Sequence, residues 1–325
     1  MRFLLRRLLR ALLMLLGVSL LCFAFTQMAP GSFFDEMRLN PQISPETIAT
    51  LRAHYGLNRP VPIRYAHWML SLAKGDFGYS IAYNSPVGPL LWTRAKNTLL
   101  LTATATILTW LIAVPLGVWS ASSRRRLADR FIGASSSLMI SVPEIVVAVA
   151  LLAVAVRWRL VLVGGMVSLG FDDLSLWGKV RDLFLHMLLP ISILLLGGIG
   201  VVERHVRASV SEILDTPYMN AARSLGIGRM RLLFRHALPV AANPVISLFG
   251  FFLAGLLGAS LLVEVVTGWP GLGPLILEAT LSRDLYVVIA ATMLSAILMI
   301  AGNFLADLLL IASDPRIRDG EAHAQ

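Results

Sequence analysis

The sequence predicts an all-α integral membrane protein, a polytopic bundle of six transmembrane helices. Three observations carry this reading. The 325 residues are 57% hydrophobic and only 14% charged, against roughly 25% charged for soluble domains. Mean hydropathy is +0.74. Six apolar runs, each near the ~20 residues that a bilayer-spanning helix needs, are spread along the chain. So apolar a composition excludes disorder. The net charge of +9 reads as basic loops beside membrane helices rather than as a nucleic-acid surface. The single cysteine, Cys22, lies in an apolar run and can form no intrachain disulfide.

Residues 1–28 form a basic head, with Arg2, Arg6, Arg7 and Arg10, and the first span from Ala11 to Met28. A signal peptide begins in the same way, but the stretch Phe25 to Pro30 offers no small-x-small cleavage site, so an uncleaved anchor is expected. Residues 29–97 form an external segment. In it Ser44-Pro45-Glu46 reads as an N-cap, a proline at the first helical position and an acid in the first turn. Ile48, Leu51 and Tyr55 then recur at helical spacing before Gly56. This short amphipathic helix is either a cap on the membrane surface or a docking surface for an external partner.

Residues 98–312 hold the other five spans: Thr98 to Ser120, Phe131 to Val156, Leu183 to Val202, Ala237 to Val266 and Leu285 to Ala312. A tail, 313–325, follows. The loop 157–182, with Gly164-Gly165 and Asp172-Asp173, reads as a solvated turn. Charge sets the orientation. Sixteen Arg fall in the N-terminal head, 124–130, 203–236 and the tail, against five basic residues in the short loops on the other side. By the positive-inside rule both termini are expected to be cytoplasmic.

The most informative stretch is the cytoplasmic segment 203–236. Thr216-Pro217 fits an N-cap and a first helical position. Tyr218, Ala221, Ala222 and Leu225 then fall on one helical face. Gly226 and Gly228 end the helix and permit a sharp turn. Two small alanines allow close approach by another surface, while the tyrosine and leucine supply area to bury. The same helix could instead pack on its own bundle. Arg229, Arg231 and Arg235 lead back to the membrane.

Chemistry of its own is missing. No GxxxxGK[ST] phosphate loop occurs, no HExxH, no cysteine–histidine cluster and no nucleophile elbow, so neither catalytic residues nor a metal site is expected. Charges inside spans are functional candidates by default. Glu264 and Asp307 lie near span ends. Glu144, after the helix-kinking Pro143, is the candidate at depth. Gly250, Ala254 and Gly258 recur every four residues, a small-residue row suited to helix packing. From the residues alone, a proton-coupled carrier working through Glu144 and a membrane scaffold or sensor stand beside a transporter subunit driven by another chain.

The stretch DTPYMNAARSLGIGRMRLLFRHALPVAANPV, residues 215–245, resembles the cytoplasmic signature of permease subunits in binding-protein-dependent ABC importers. Asn220-Ala221-Ala222 stand for the EAA of that pattern, with Asn220 in place of its glutamate. Gly226 is its glycine and Leu238-Pro239 its LP pair. Further fragments resemble the peptide/nickel class. They are Arg6-Arg7-Leu8, Met28-Ala29-Pro30-Gly31, the segment 51–80 with Gly75-Asp76-Phe77-Gly78, TGWPGLG (267–273) with Arg283-Asp284, and Asp307 with Asp314-Pro315-Arg316-Ile317-Arg318.

The resemblance implies the type I ABC importer permease fold, in the first-listed (B-type) permease of its system, at a bacterial inner membrane. It implies a coupling helix from Thr216 to Gly226 seated on separate ATPase subunits, which hold ATP and Mg. It implies a related second permease, forming a heterodimer, and a periplasmic or lipid-tethered solute-binding protein. Gly75, Asp76, Trp269, Pro270 and Gly271 become candidate external contacts. Peptides lead as substrate, ahead of nickel, opines, glutathione and oligosaccharides.

Overall fold

A computed structural model describes residues 2–28, 44–54, 59–123, 126–159 and 161–313. Of the features singled out above, Ala29-Pro30-Gly31, Tyr55, Gly56, the Arg124-Arg125 pair and the tail from Asp314 lie outside the described residues. The elements are α1 (Arg2–Met28), α2 (Pro45–His54), α3 (Val61–Ala73), β1 (Tyr79–Ser80), β2 (Ser85–Pro86), α4 (Val87–Ser122), α5 (Arg126–Ser141) and α6 (Glu144–Trp158). They continue with α7 (Leu176–Leu214), α8 (Pro217–Ser224), α9 (Arg229–Thr267), α10 (Leu272–Leu281) and α11 (Leu285–Ser313). The two strands form a minimal antiparallel hairpin that pairs Tyr79 with Pro86 and Ser80 with Ser85.

Among the described residues five helices, α1, α4, α7, α9 and α11, are long and apolar enough to cross a membrane. The stretch expected as a third straight span, Phe131 to Val156, is instead two helices. α5 and α6 meet at an angle of 97°, because Pro143 has no amide to donate and the helix restarts at Glu144. Counted as one crossing, the pair makes six spans. Several helices outrun their apolar cores. α7 has 39 residues and α4 has 36, longer than the ~20 needed for crossing. Pro115, Pro190 and Pro244 sit inside α4, α7 and α9 without ending them, a tolerance typical of membrane helices. The first turns of α9 carry a π-helical segment, Leu232–Ala237.

The chain divides into two compact units. One comprises residues 1–98 and 270–298, the other 99–269 and 299–325. The first is organised by Phe23, Trp68, Ile289 and Met293, with Tyr65 and Cys22 packed around them. α1 and α3 meet there through an edge-on Phe23–Tyr65 ring contact at 5.4 Å and a Ser19 Oγ–Tyr65 Oη hydrogen bond at 2.8 Å. The second unit is built around α7, which packs on α5, α6 and α9. Its core includes Ile193, Leu194, Val202, Val206, Phe252 and Trp269. Glycines permit the close approaches. A Cβ on Gly117 of α4 would stand 2.8 Å from the Glu203 carbonyl oxygen, and one on Gly200 of α7 would stand 2.8 Å from the Ser136 carbonyl oxygen.

Candidate functional site

Residues 215–237 build the most distinctive surface of the second unit. α7 stops at Leu214, and Thr216 takes an extended conformation with its Oγ1 accepting from the Met219 N–H at 3.4 Å. Pro217 follows at the first helical position, where no amide partner is needed. α8 therefore begins where Thr216-Pro217 places it. It ends at Ser224, and Gly226 turns the chain at φ +77°, a left-handed backbone open to glycine at little cost.

The expected face of α8 divides. Ala222 is only 6% exposed and Met219 is fully buried, both in the cluster that holds Val210, Leu232 and Leu233. Tyr218 is 58% and Leu225 82% exposed, and Asn220 and Ala221 are exposed with them. Ala222 therefore leaves the presented face. Met219 anchors the helix to its own bundle, and Ala222, three residues on, lies on the same inward side. α8 is strapped at both flanks. Tyr218 Oη and His236 Nδ1 share a hydrogen bond at 2.8 Å, which ties it to the π-helical segment of α9. Arg223 Nη2 donates to the Leu214 carbonyl at 3.0 Å, capping α7, while its Nη1 donates to Asn220 Oδ1 at 3.2 Å. Beside α8 lies an open cleft of about 520 Å³, lined by Ser122, Asp215, Arg223, Ile227 and Arg229 among others.

Directly along α7 stands an acid that sequence reasoning placed in the polar segment. Glu203 is 1% exposed, and its Oε2 accepts from Ser136 Oγ of α5 at 2.5 Å. α7 continues eleven residues past it to Leu214, so Glu203 is interior. Ser136 lies 67 residues away in sequence, and only the run Ser135-Ser136-Ser137 hinted at a polar helix contact. A second tie joins the same helices. Arg207 reaches Asp129 through Nε at 2.7 Å and Nη2 at 2.8 Å, and Ser120 Oγ of α4 donates to Asp129 Oδ1 at 2.8 Å. Together these fix α5 to the helix that leads into α8.

Glu144 opens α6 at the 97° break and is half-buried. Its Oε1 lies 3.4 Å from where a Cβ on Gly197 of α7 would stand. The small-residue row of α9 is unevenly used. A Cβ on Gly250 would come within 2.9 Å of the Ala306 Cβ of α11, Ala254 is half-buried, and Gly258 faces open space.

In the first unit, Gly75 and Gly78 adopt φ +81° and +93°, and Asp76 Oδ1 accepts from the Gly78 N–H at 2.9 Å. A Cβ on Gly78 would stand 3.2 Å from the Tyr286 ring. Asp284, 3% exposed, holds the hairpin down. Its Oδ2 accepts from Ser80 Oγ at 2.6 Å and from the Ala82 N–H at 3.2 Å, and its Oδ1 accepts from the Val287 N–H at 3.4 Å. Tyr83 donates to Glu278, and burial together with that bond pushes its hydroxyl up to about 12. Tyr83 thus stays protonated at ordinary pH.

Of the five candidate external contacts, Gly75 and Asp76 are exposed and Pro270 is half-buried. Trp269, 1% exposed, and Gly271 are buried. These two act as packing residues rather than surface contacts: Trp269 belongs to the core of the second unit. At the adjoining turn, Asn97 Nδ2 donates to the Pro270 carbonyl at 2.8 Å and the Leu272 N–H donates to Thr98 Oγ1 at 2.8 Å. Asp284→Ala is expected to lose about 2–3 kcal/mol from stranded hydrogen-bond partners. It should expose the 79–87 segment to limited proteolysis in detergent while Asp76→Ala leaves it protected; equal cleavage of the two would contradict the Asp284 clamp.

Residues 113–319 match the family described as binding-protein-dependent transport system inner membrane component, and residues 1–102 match its N-terminal companion. The chain is 34% identical over 319 residues to the oligopeptide transport system permease protein AppB of Bacillus subtilis, covering 97% of this chain and 98% of that one. It is 34% identical over 335 residues to the dipeptide transport system permease protein DppB of Escherichia coli, covering 98% and 99%. Among solved structures, the inward-facing MetNI methionine ABC transporter has a chain of the same fold. The TM-score is 0.56 and the identity 21%, covering 69% of this chain and 96% of that one. The chain therefore belongs to the binding-protein-dependent transport system inner membrane components: it is an integral membrane permease subunit of an ABC importer, with the type I importer fold and no enzymatic role of its own.

Proposed function

We propose that this subunit forms half of the translocation pathway of a peptide importer and is driven through α8 by separate ATPase subunits that bind ATP and Mg. The observation that carries the proposal is the build of α8. It is a capped helix strapped to α7 and α9, with Tyr218, Asn220, Ala221 and Leu225 presented outward. An outward apolar face on a firmly held helix is what a docking partner requires if its movement is to be passed on.

In this reading closure of two ATPases on ATP brings two such helices together. The spans switch from inward- to outward-facing, a solute-binding protein releases its cargo into the opened cavity, and hydrolysis resets the cycle. The other half of the pathway is a second, related permease. Both termini and α8 lie on the cytoplasmic side of a bacterial inner membrane, in keeping with the sixteen Arg of the segments on that side. The names of AppB and DppB, oligopeptide and dipeptide permeases, support peptides as cargo.

The test is affinity purification of the tagged chain in detergent, with mass spectrometry of what accompanies it. Co-purification of an ATPase and a second permease, with dipeptide-dependent ATP hydrolysis once binding protein is added, is the expected result. Recovery of the chain alone from a preparation that still transports would overturn the proposal.

A further inference from the structure

We propose that Glu144 stands in the translocation path and receives the ammonium end of the passing solute. Residues 131–156 contain one charged side chain, Glu144. It sits at the break between α5 and α6, against Gly197 of α7. Gly197 is close to the middle of α7: at 1.5 Å per residue it lies about 32 Å from Leu176 and about 26 Å from Leu214. The carboxylate thus lies beside the apolar run 183–202 of α7, a membrane-spanning helix of its unit. Glycine at 197 leaves room around it, since a side chain there would crowd Oε1. Among the described residues Glu144 has neither a hydrogen bond nor an ion pair.

A carboxylate beside such an apolar run is costly unless it faces water or meets a cation. In an ATP-driven importer it need not carry protons, and a zwitterionic peptide brings the matching charge on its amino terminus. A charge-assisted N–H···O contact is short and directional, so one carboxylate is enough to orient the solute as it passes. This rests on the peptide reading above, and the experiment separates the two.

The importer is reconstituted whole in liposomes: both permeases, the ATPases and the binding protein. Uptake of L-alanyl-L-alanine is measured for wild type, Glu144→Gln and Glu144→Asp, together with binding-protein-stimulated ATP hydrolysis. Glu144→Gln should slow uptake about tenfold, the loss of one charge-assisted contact, while ATP hydrolysis is still stimulated; Glu144→Asp should recover most of it. Undiminished uptake by Glu144→Gln overturns the proposal. So does equal loss in both variants, which marks a packing role.

In a second arm Cys22, the only cysteine, is replaced by serine and Glu144→Cys is labelled with a cationic thiosulfonate reagent. The introduced thiol should react in the assembled complex and be protected by dialanine. A thiol that reacts in the isolated chain but not in the complex makes position 144 a subunit contact and overturns the proposal. If wild type takes up no dialanine, the peptide reading falls, and an unreactive thiol then removes Glu144 from the path while a reactive one keeps it there.

Discussion

Leu225→Glu should abolish uptake by the assembled importer and release the ATPase from detergent-purified complexes. Leu225 is 82% exposed within the chain, so the substitution costs little internal packing. In the docked state it buries an unpaired carboxylate, with a penalty of about 3–5 kcal/mol. That corresponds to roughly two to four orders of magnitude in association. The thermal unfolding of the isolated chain should be unchanged. Ala222→Glu behaves differently. It drives a charge among Met219, Leu232 and Leu233, so it should lower the unfolding midpoint as well as coupling, and it does not isolate the interface. Leu225→Glu with wild-type uptake and a retained ATPase would exclude α8 as the seat of the motor.

A second large effect is expected at Gly117. Leucine is a good helix former, so helix propensity alone favours Gly→Leu. At 117, however, any Cβ meets the Glu203 carbonyl oxygen and the Val206 Cβ, both at 2.8 Å. Backbone cannot step aside as a side-chain tip can. Gly117→Leu should therefore destabilise the chain by about 3 kcal/mol, at the upper end of overpacking costs. Gly258→Leu is the control, because nothing lies within 4 Å of its Cβ position. In detergent, with the isolated chain, only the first should lower the unfolding midpoint. Equal shifts would mean that α4 and α7 do not approach as closely as described.

What could be read in the sequence was local or repetitive. The long apolar runs announce membrane helices whatever they pack against, and Thr216-Pro217 and Gly226 mark both ends of α8 because caps act within one turn. What could not be read depends on distant partners. Pro143 signalled a kink, but hydropathy runs unbroken through it, and the 97° angle is set by what α5 and α6 pack on. α4 starts at Val87, eleven residues before the apolar run, since Arg94 and Lys96 do not stop a helix. The inward turn of Ala222 requires Leu232 and Leu233, and the burial of Glu203 requires Ser136. Asp284 and Ser80, 204 residues apart, form a clamp with no local signature.

The uninterrupted length of α7 has a mechanical consequence. At 1.5 Å per residue its 39 residues make a beam about 58 Å long. Tight contacts come just past the middle, where Gly198 meets Phe252 and Thr109 and Gly200 meets the Ser136 carbonyl. A beam gripped there pivots at that point. Its two arms, measured from Leu176 to Gly198 and from Gly200 to Leu214, are about 33 and about 21 Å long. A tilt that carries the α8 end one way must swing the Leu176 end the other way by about half as much again. In the proposed transport cycle the geometry of a seesaw links the two mouths of the pathway, so that narrowing one widens the other.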